Sequence, residues 1–326
     1  MATFIKRHPV VTYFALAFAL SWGGVLLVIG FDGIPGTPEQ TETLFPLVYL
    51  AMLVGPSVAG ILLTALVQGK AGLRAFRSRL LDWRVDARWY AVALLTAPVV
   101  TTAVLLALSF ISKDFLPGIL VSDDKMSLLL FGLGVGLGAG VFEELGWTGF
   151  AIPHLKRRHG VLASGLIVGL LWGAWHLLVN IWGAGDSAGS IPLAVFLPVI
   201  LLSCLPVFRL LMVWVYDRTE SLLVAMLMHA SLTTSVLVLG PLALSGTALL
   251  TYNLALAAAL YLVAGAVAMA NGWQLSSQPH GTSNVHQLNG RDRRHDDRRR
   301  ATNPKLRWRD RQASPHRHQS VHRQHQ

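Results

Sequence analysis

Read with a window of about 19 residues, the chain resolves into eight long apolar spans, near residues 10–30, 45–68, 90–111, 127–152, 161–182, 191–215, 221–240 and 247–270. Charged residues fall mostly in the short stretches between them. Most spans reach 20 residues, enough to cross about 30 Å of hydrocarbon at about 1.5 Å per residue. None shows the period-2 alternation of strands, and a membrane barrel needs alternating segments of about ten residues. The pattern predicts an all-α polytopic membrane protein with about eight transmembrane helices. Composition sharpens this, since 53% of residues are hydrophobic and only 13% charged, with a mean hydropathy of +0.52, far from average soluble usage.

Lys and Arg are unevenly shared between the two sets of loops. One set holds Lys6, Arg7, Lys70, Arg74, Arg77, Arg79, Arg84, Arg88, Lys156, Arg157, Arg158 and Arg218. The other holds Asp32, Glu39, Glu42, Asp114, Asp123, Asp124 and Asp186, with Lys113 and Lys125 as its basic residues. This bias predicts both termini in the cytoplasm of a multi-pass cell-membrane protein, and an even number of spans agrees with it. The first span exceeds a signal-peptide core and no A-x-A site follows it, so it is read as a membrane span. Cys204, the single cysteine, lies inside the sixth span as a core residue and rules out an internal disulfide framework. Residues 69–89 interleave basic residues with Leu, Phe and Trp, a pattern suited to the anionic leaflet surface.

Two domains follow: a transmembrane body over 1–270 and a tail over 271–326. The tail holds 12 Lys and Arg against 4 Asp, or +8 of the chain's formal +10, and has too few apolar residues for a core. It is expected to be a disordered basic segment or one read out of frame. Nucleic-acid binding is not expected of it.

Few ionisable residues interrupt the spans away from their ends: Glu143, Glu144, His176, Arg209 and His229. Arg209 is expected to snorkel towards the cytoplasmic side. Two acids and two imidazoles remain, a set able to move protons, and intramembrane charge is costly enough to mark function. Trp172 and His176 stand at i and i+4, as do His229 and Thr233, and Glu144 and Thr148, so each pair shares a helix face. Just upstream of the acids, Gly132, Gly136 and Gly140 have the GxxxG spacing of closely packed helices. No strand precedes this run and G-x-G-x-x-G is absent, which excludes a nucleotide loop. Trp147, Trp172 and Trp175 are read as packing or interface residues.

The ordered segments EELGWTGF, WGAWH and HASLT resemble the three-part signature of the CPBP family (CAAX proteases and bacteriocin-processing enzymes, Abi-type), over about residues 127–240. The resemblance implies an eight-helix intramembrane endopeptidase. In it, Glu143 and His176 activate a water, His229 binds the oxyanion of the scissile carbonyl, and Glu144 orients the site. A partly desolvated carboxylate is a better base, and a fixed imidazole stabilises developing charge. A zinc site on Glu143, His176 and His229 is the alternative to metal-free chemistry; without HExxH, no metal or other cofactor is favoured.

Two positions depart from the family pattern. Thr148 stands in place of arginine, which leaves Glu144 without that cation, and Thr233 stands in place of asparagine, offering a hydroxyl as a weaker oxyanion donor. These departures open a second reading, a catalytically impaired member acting as a membrane binding or immunity-type protein. A proton-coupled transporter is a third, although the repeat symmetry common in transporters is not seen. The expected partners are the bilayer and a membrane protein or peptide substrate, which the sequence does not name. Depth poses a further test: counted at about 1.5 Å per residue, Glu143 lies roughly 15 Å deep, His229 roughly 12 Å and His176 roughly 24 Å. For these to meet, span five is expected to begin several residues after Val161, behind an interfacial segment.

Overall fold

The computed structural model describes residues 2–183, 185–242 and 244–272; the tail expected over 271–326 lies outside them from residue 273 onward. The described residues are helical throughout their regular structure, without a strand. The main helices are α1 (Pro9–Ile29), α2 (Pro38–Leu63), α3 (Gly69–Leu80), α4 (Ala87–Ser109), α5 (Lys125–Glu144), α6 (Ile152–Trp175), α7 (Leu193–Ser203), α8 (Leu205–Thr219), α9 (Leu222–Leu239) and α10 (Gly246–Ala270). Polar residues at their starts make the stops and starts local. Thr37 and Gln40 form a reciprocal capping box on α2, and Asp124 accepts from the Ser127 amide to cap α5. Ser221 does the same for α9 through the Val224 amide.

Among the described residues, seven helical runs qualify as membrane spans by length and apolar composition, one of them the 59-residue run Lys125–Gly183. This run is nearly three times the roughly 20 residues that cross a bilayer. The Trp172 indole returns to within 2.8 Å of Glu143, so the chain doubles back between them. Gly160 is where it turns, at φ 69° and ψ −178°, a left-handed conformation that glycine alone adopts without a Cβ penalty. Spans four and five are therefore both present inside the one run.

Helix continues through Ile152 and the basic Lys156–Arg158 stretch up to the turn. Seen from Gly160, Glu143 and His176 both lie roughly 25 Å along the helices at about 1.5 Å per residue, which removes most of the discrepancy in depth. His229 meets them because α9 starts well above that turn, where Leu222 and Met226 pack on Phe76 of α3 and approach Leu145.

Glycine seams bring the central helices together. A Cβ on Gly136 would stand 2.7 Å from the Ala230 carbonyl oxygen, and one on Gly140 would stand 2.9 Å from the Ala230 nitrogen, so α5 and α9 pack backbone to backbone. On the other side, Gly165 faces Leu210 and Gly169 faces Pro206, drawing α6 against α8. Helix α3 is amphipathic as expected: Phe76 is buried while Arg74 and Arg77 are exposed.

Candidate active site

Helix α5 ends at Glu144, and the chain passes through one wide π-helical turn, Trp147–Ala151, before α6. Such turns recur at functional sites because they re-aim side chains. Here the amides of Phe150 and Ala151 both bond to the Gly146 carbonyl, at 3.0 Å each. The turn sits in the interior. Glu143 is 4% exposed, and Glu144 and Trp147 are 0% exposed.

The two carboxylates point to different partners. Glu143 Oε2 accepts from the Trp172 indole N–H at 2.8 Å and the Trp147 indole N–H at 3.2 Å, with His229 Nε2 at 3.9 Å. Glu144 Oε1 accepts from His229 Nδ1 at 2.6 Å. The guanidinium Nη1 of Arg209 lies 2.7 and 2.8 Å from the two oxygens of Glu144. The Thr148 hydroxyl completes this set by donating to Glu144 Oε2. Carboxylates only accept, so Nδ1 of His229 carries a proton and Nε2 is the nitrogen turned towards Glu143.

His176 caps α6, and its Nδ1 lies 2.9 Å from the Trp172 carbonyl. A carbonyl only accepts, so Nδ1–H is committed there and Nε2 is left for other chemistry. The half-buried His176 ring and the His229 ring both pack edge to face on Trp172, whose ring centroid lies 5.6 Å from the first and 5.0 Å from the second. Thr233 follows His229 by one turn on α9 and is half-buried; no hydrogen bond of its hydroxyl occurs among the described residues. Glu143, Glu144 and His229 are thus in mutual reach, His176 shares the Trp172 ring with His229, and Thr233 stands at the margin.

Arg209 overturns two expectations. It does not snorkel: it is 0% exposed, with its guanidinium carbon 4.2 Å from the Trp172 ring centroid. Glu144 does not lack a cation either, because Arg209 supplies one from a helix 65 residues away. The physical reason is pairing. A buried guanidinium is costly alone, but a carboxylate in hydrogen-bond contact and an aromatic face offset its lost hydration. The indoles of Trp147 and Trp172 are likewise more than packing. The sequence signal for Arg209 was its place among apolar residues far from a span end; for the indoles, only the i, i+4 relation of Glu143 to Trp147.

Among the described residues, no group of three or more His, Cys, Asp or Glu side chains is placed to hold a metal ion.

Residues 125–235 match the profile of the family described as type II CAAX prenyl endopeptidase Rce1-like. CAAX prenyl protease 2 of Methanococcus maripaludis is 26% identical over 183 residues, which cover 54% of this chain and 64% of that relative. The chain thus spans less than two thirds of the relative's length. These matches bear out the resemblance to the CPBP family carried by the three motifs, on a multi-pass membrane body.

Proposed function

We propose that this protein is an intramembrane endopeptidase that hydrolyses a peptide bond in a membrane-associated protein or peptide, using its own side chains to activate water. The observation that carries the reading is the unequal treatment of two adjacent buried carboxylates. Glu144 is paired with Arg209, while Glu143 is held by two indole N–H groups with no Arg or Lys in contact among the described residues. Environments that separate two like groups in this way assign acid–base roles.

In the proposed reaction a water near Glu143 and His176 attacks the scissile carbonyl carbon as Glu143 accepts its proton. The carbonyl electron pair moves onto oxygen, where Nε2–H of His229 in its imidazolium form would donate; Glu144 balances that imidazolium through Nδ1. Collapse re-forms the carbonyl, breaks the C–N bond and returns the proton from Glu143 to the leaving amine. The name of the Methanococcus relative makes a prenylated CAAX peptide the first substrate to try. The impaired-member reading loses one ground, since Arg209 stands where a cation was thought missing; the departure at Thr233 remains.

The test is proteolysis of prenylated and unmodified tagged peptides in detergent. Glu143→Gln keeps the shape of the side chain but cannot take the proton, so turnover should vanish while the thermal midpoint of the protein stays unchanged. Retained proteolysis in that variant, or no cleavage by the wild type, would sink the proposal. Orientation is proposed from the Lys and Arg bias: reporters at about positions 75 and 158 should read cytoplasmic and those at about 38 and 120 external. An external signal at 158 would reverse it.

A further inference from the structure

Glu144 touches no reacting atom in the scheme above, yet more protein is committed to it than to Glu143. Its oxygens receive the Arg209 guanidinium, the His229 imidazole and the Thr148 hydroxyl. All four residues are essentially sealed, at 0% exposure for Glu144 and Arg209 and 1% for Thr148 and His229. Arg209 reaches the other carboxylate as well, by lying against the face of the same Trp172 whose N–H holds Glu143. Within this cluster, Arg209 contacts the supports of both Glu143 and His229.

We infer that Arg209 is a positioning residue of the hydrolytic site: through Glu144 it fixes the His229 ring with Nε2 turned to Glu143, and through Trp172 it fixes the donor that orients Glu143. The inference rests on the hydrolase reading, but its geometric core does not. A carboxylate sealed from water is held ionised by a charge in contact with it. An ionised Glu144 can only accept from His229, which keeps a proton on Nδ1 and, in the imidazolium of the proposed scheme, presents Nε2–H to the substrate. Remove the cation, and Glu144 can take up a proton and donate to Nδ1 instead, reversing that bond.

The arrangement also shows that the cation need not come from α8. Thr148 lies one turn beyond Glu144 and already touches the same carboxylate oxygen. An arginine there can enter the space that Arg209 vacates. The charge, rather than the helix that delivers it, is what the site requires.

Three variants test this: Arg209→Leu, Arg209→Lys and the exchange pair Thr148→Arg with Arg209→Leu. Arg209→Leu should lower kcat by roughly 10–100-fold, the scale of partners that act behind a functional histidine, with KM unchanged within about twofold. The exchange pair should recover most of the lost kcat. A second readout needs no substrate: in ¹⁵N-histidine spectra the Nδ1–H···carboxylate signature of His229 should be present in the wild type, lost in Arg209→Leu and restored in the exchange pair. Wild-type kcat in Arg209→Leu overturns the inference, as does a folded exchange pair no better than the single variant. Should both leucine variants fail to fold, Arg209→Lys decides: because it keeps the charge, the His229 Nδ1–H···carboxylate signature and most of kcat should be retained, and loss of that signature in the folded lysine variant refutes the inference. If the wild type cuts no peptide, the hydrolase reading fails, and the spectra alone still show whether Arg209 controls His229.

Discussion

Glu143 and Glu144 are neighbours in the chain, at the end of one helix and almost equally buried, and yet they inhabit opposite surroundings. Around Glu144 every direction is closed by a group that favours the anion: a guanidinium, an imidazole N–H and a hydroxyl. Around Glu143 there are two indole N–H groups and, among the described residues, no Arg or Lys in contact, with the imidazole edge of His229 3.9 Å away. Successive residues on a helix point about 100° apart, so two adjacent acids face different helices and acquire different chemistry. Charge alone does not identify a base. What matters is which acid the fold has left unneutralised.

The sharpest way to break this comparison is to neutralise each acid in turn. Glu143→Gln should abolish turnover and spare the fold. Glu144→Gln should strand Arg209 as an uncompensated buried charge, a loss of about 3–5 kcal/mol when one partner of such a pair is removed. Thermal unfolding in detergent should therefore separate two substitutions that are chemically identical and one residue apart; equal midpoints would mean that the two sites do not differ as described.

Next in size is His229→Ala. Losing one oxyanion donor costs roughly 10²–10³ in rate in well-studied hydrolases, so kcat should fall on that scale without the complete loss expected at Glu143. A smaller loss would place oxyanion binding elsewhere, with Thr233 the next residue to try. The smallest effect is expected far from both acids, at the start of the same helix. Asp124 is held below the ordinary carboxylate range by its hydrogen bonds from Ser127. Because its value is lowered in the folded state, its contribution is fully present at neutral pH and is lost as pH falls through that lowered value. Asp124→Ala should lower the thermal midpoint slightly at pH 7 and leave kcat intact; a large drop in activity would tie the helix start to the site.

The spans and the acid–imidazole set were legible because both follow from single residues set against their neighbours: long apolar runs, and charges where no charge belongs. The glycine seam was legible too, since Gly132, Gly136 and Gly140 repeat at helical spacing and the structure turns them onto α9. What sequence concealed was reach. Whether Arg209 snorkels or turns inward depends on a carboxylate 65 residues earlier, and Trp172 reads as packing until α6 folds back and brings its N–H to Glu143. The turn at Gly160 was hidden for a related reason. Lys156, Arg157 and Arg158 look like a loop, but a helix carries them as easily while their side chains reach polar surroundings.

The glycine seam between α5 and α9 has a consequence for assembly. The α5 face of this seam is nearly smooth, since its glycines present few ridges to stop a neighbouring helix from sliding. A slip of one residue shifts a side chain about 1.5 Å along the axis and turns it by about 100°, which would sever every bond that Glu144 makes to α8 and α9. The polar cluster therefore acts as a detent, selecting one alignment from the several that a smooth seam permits, and the apolar body of the protein takes its registration from the few residues that least resemble it.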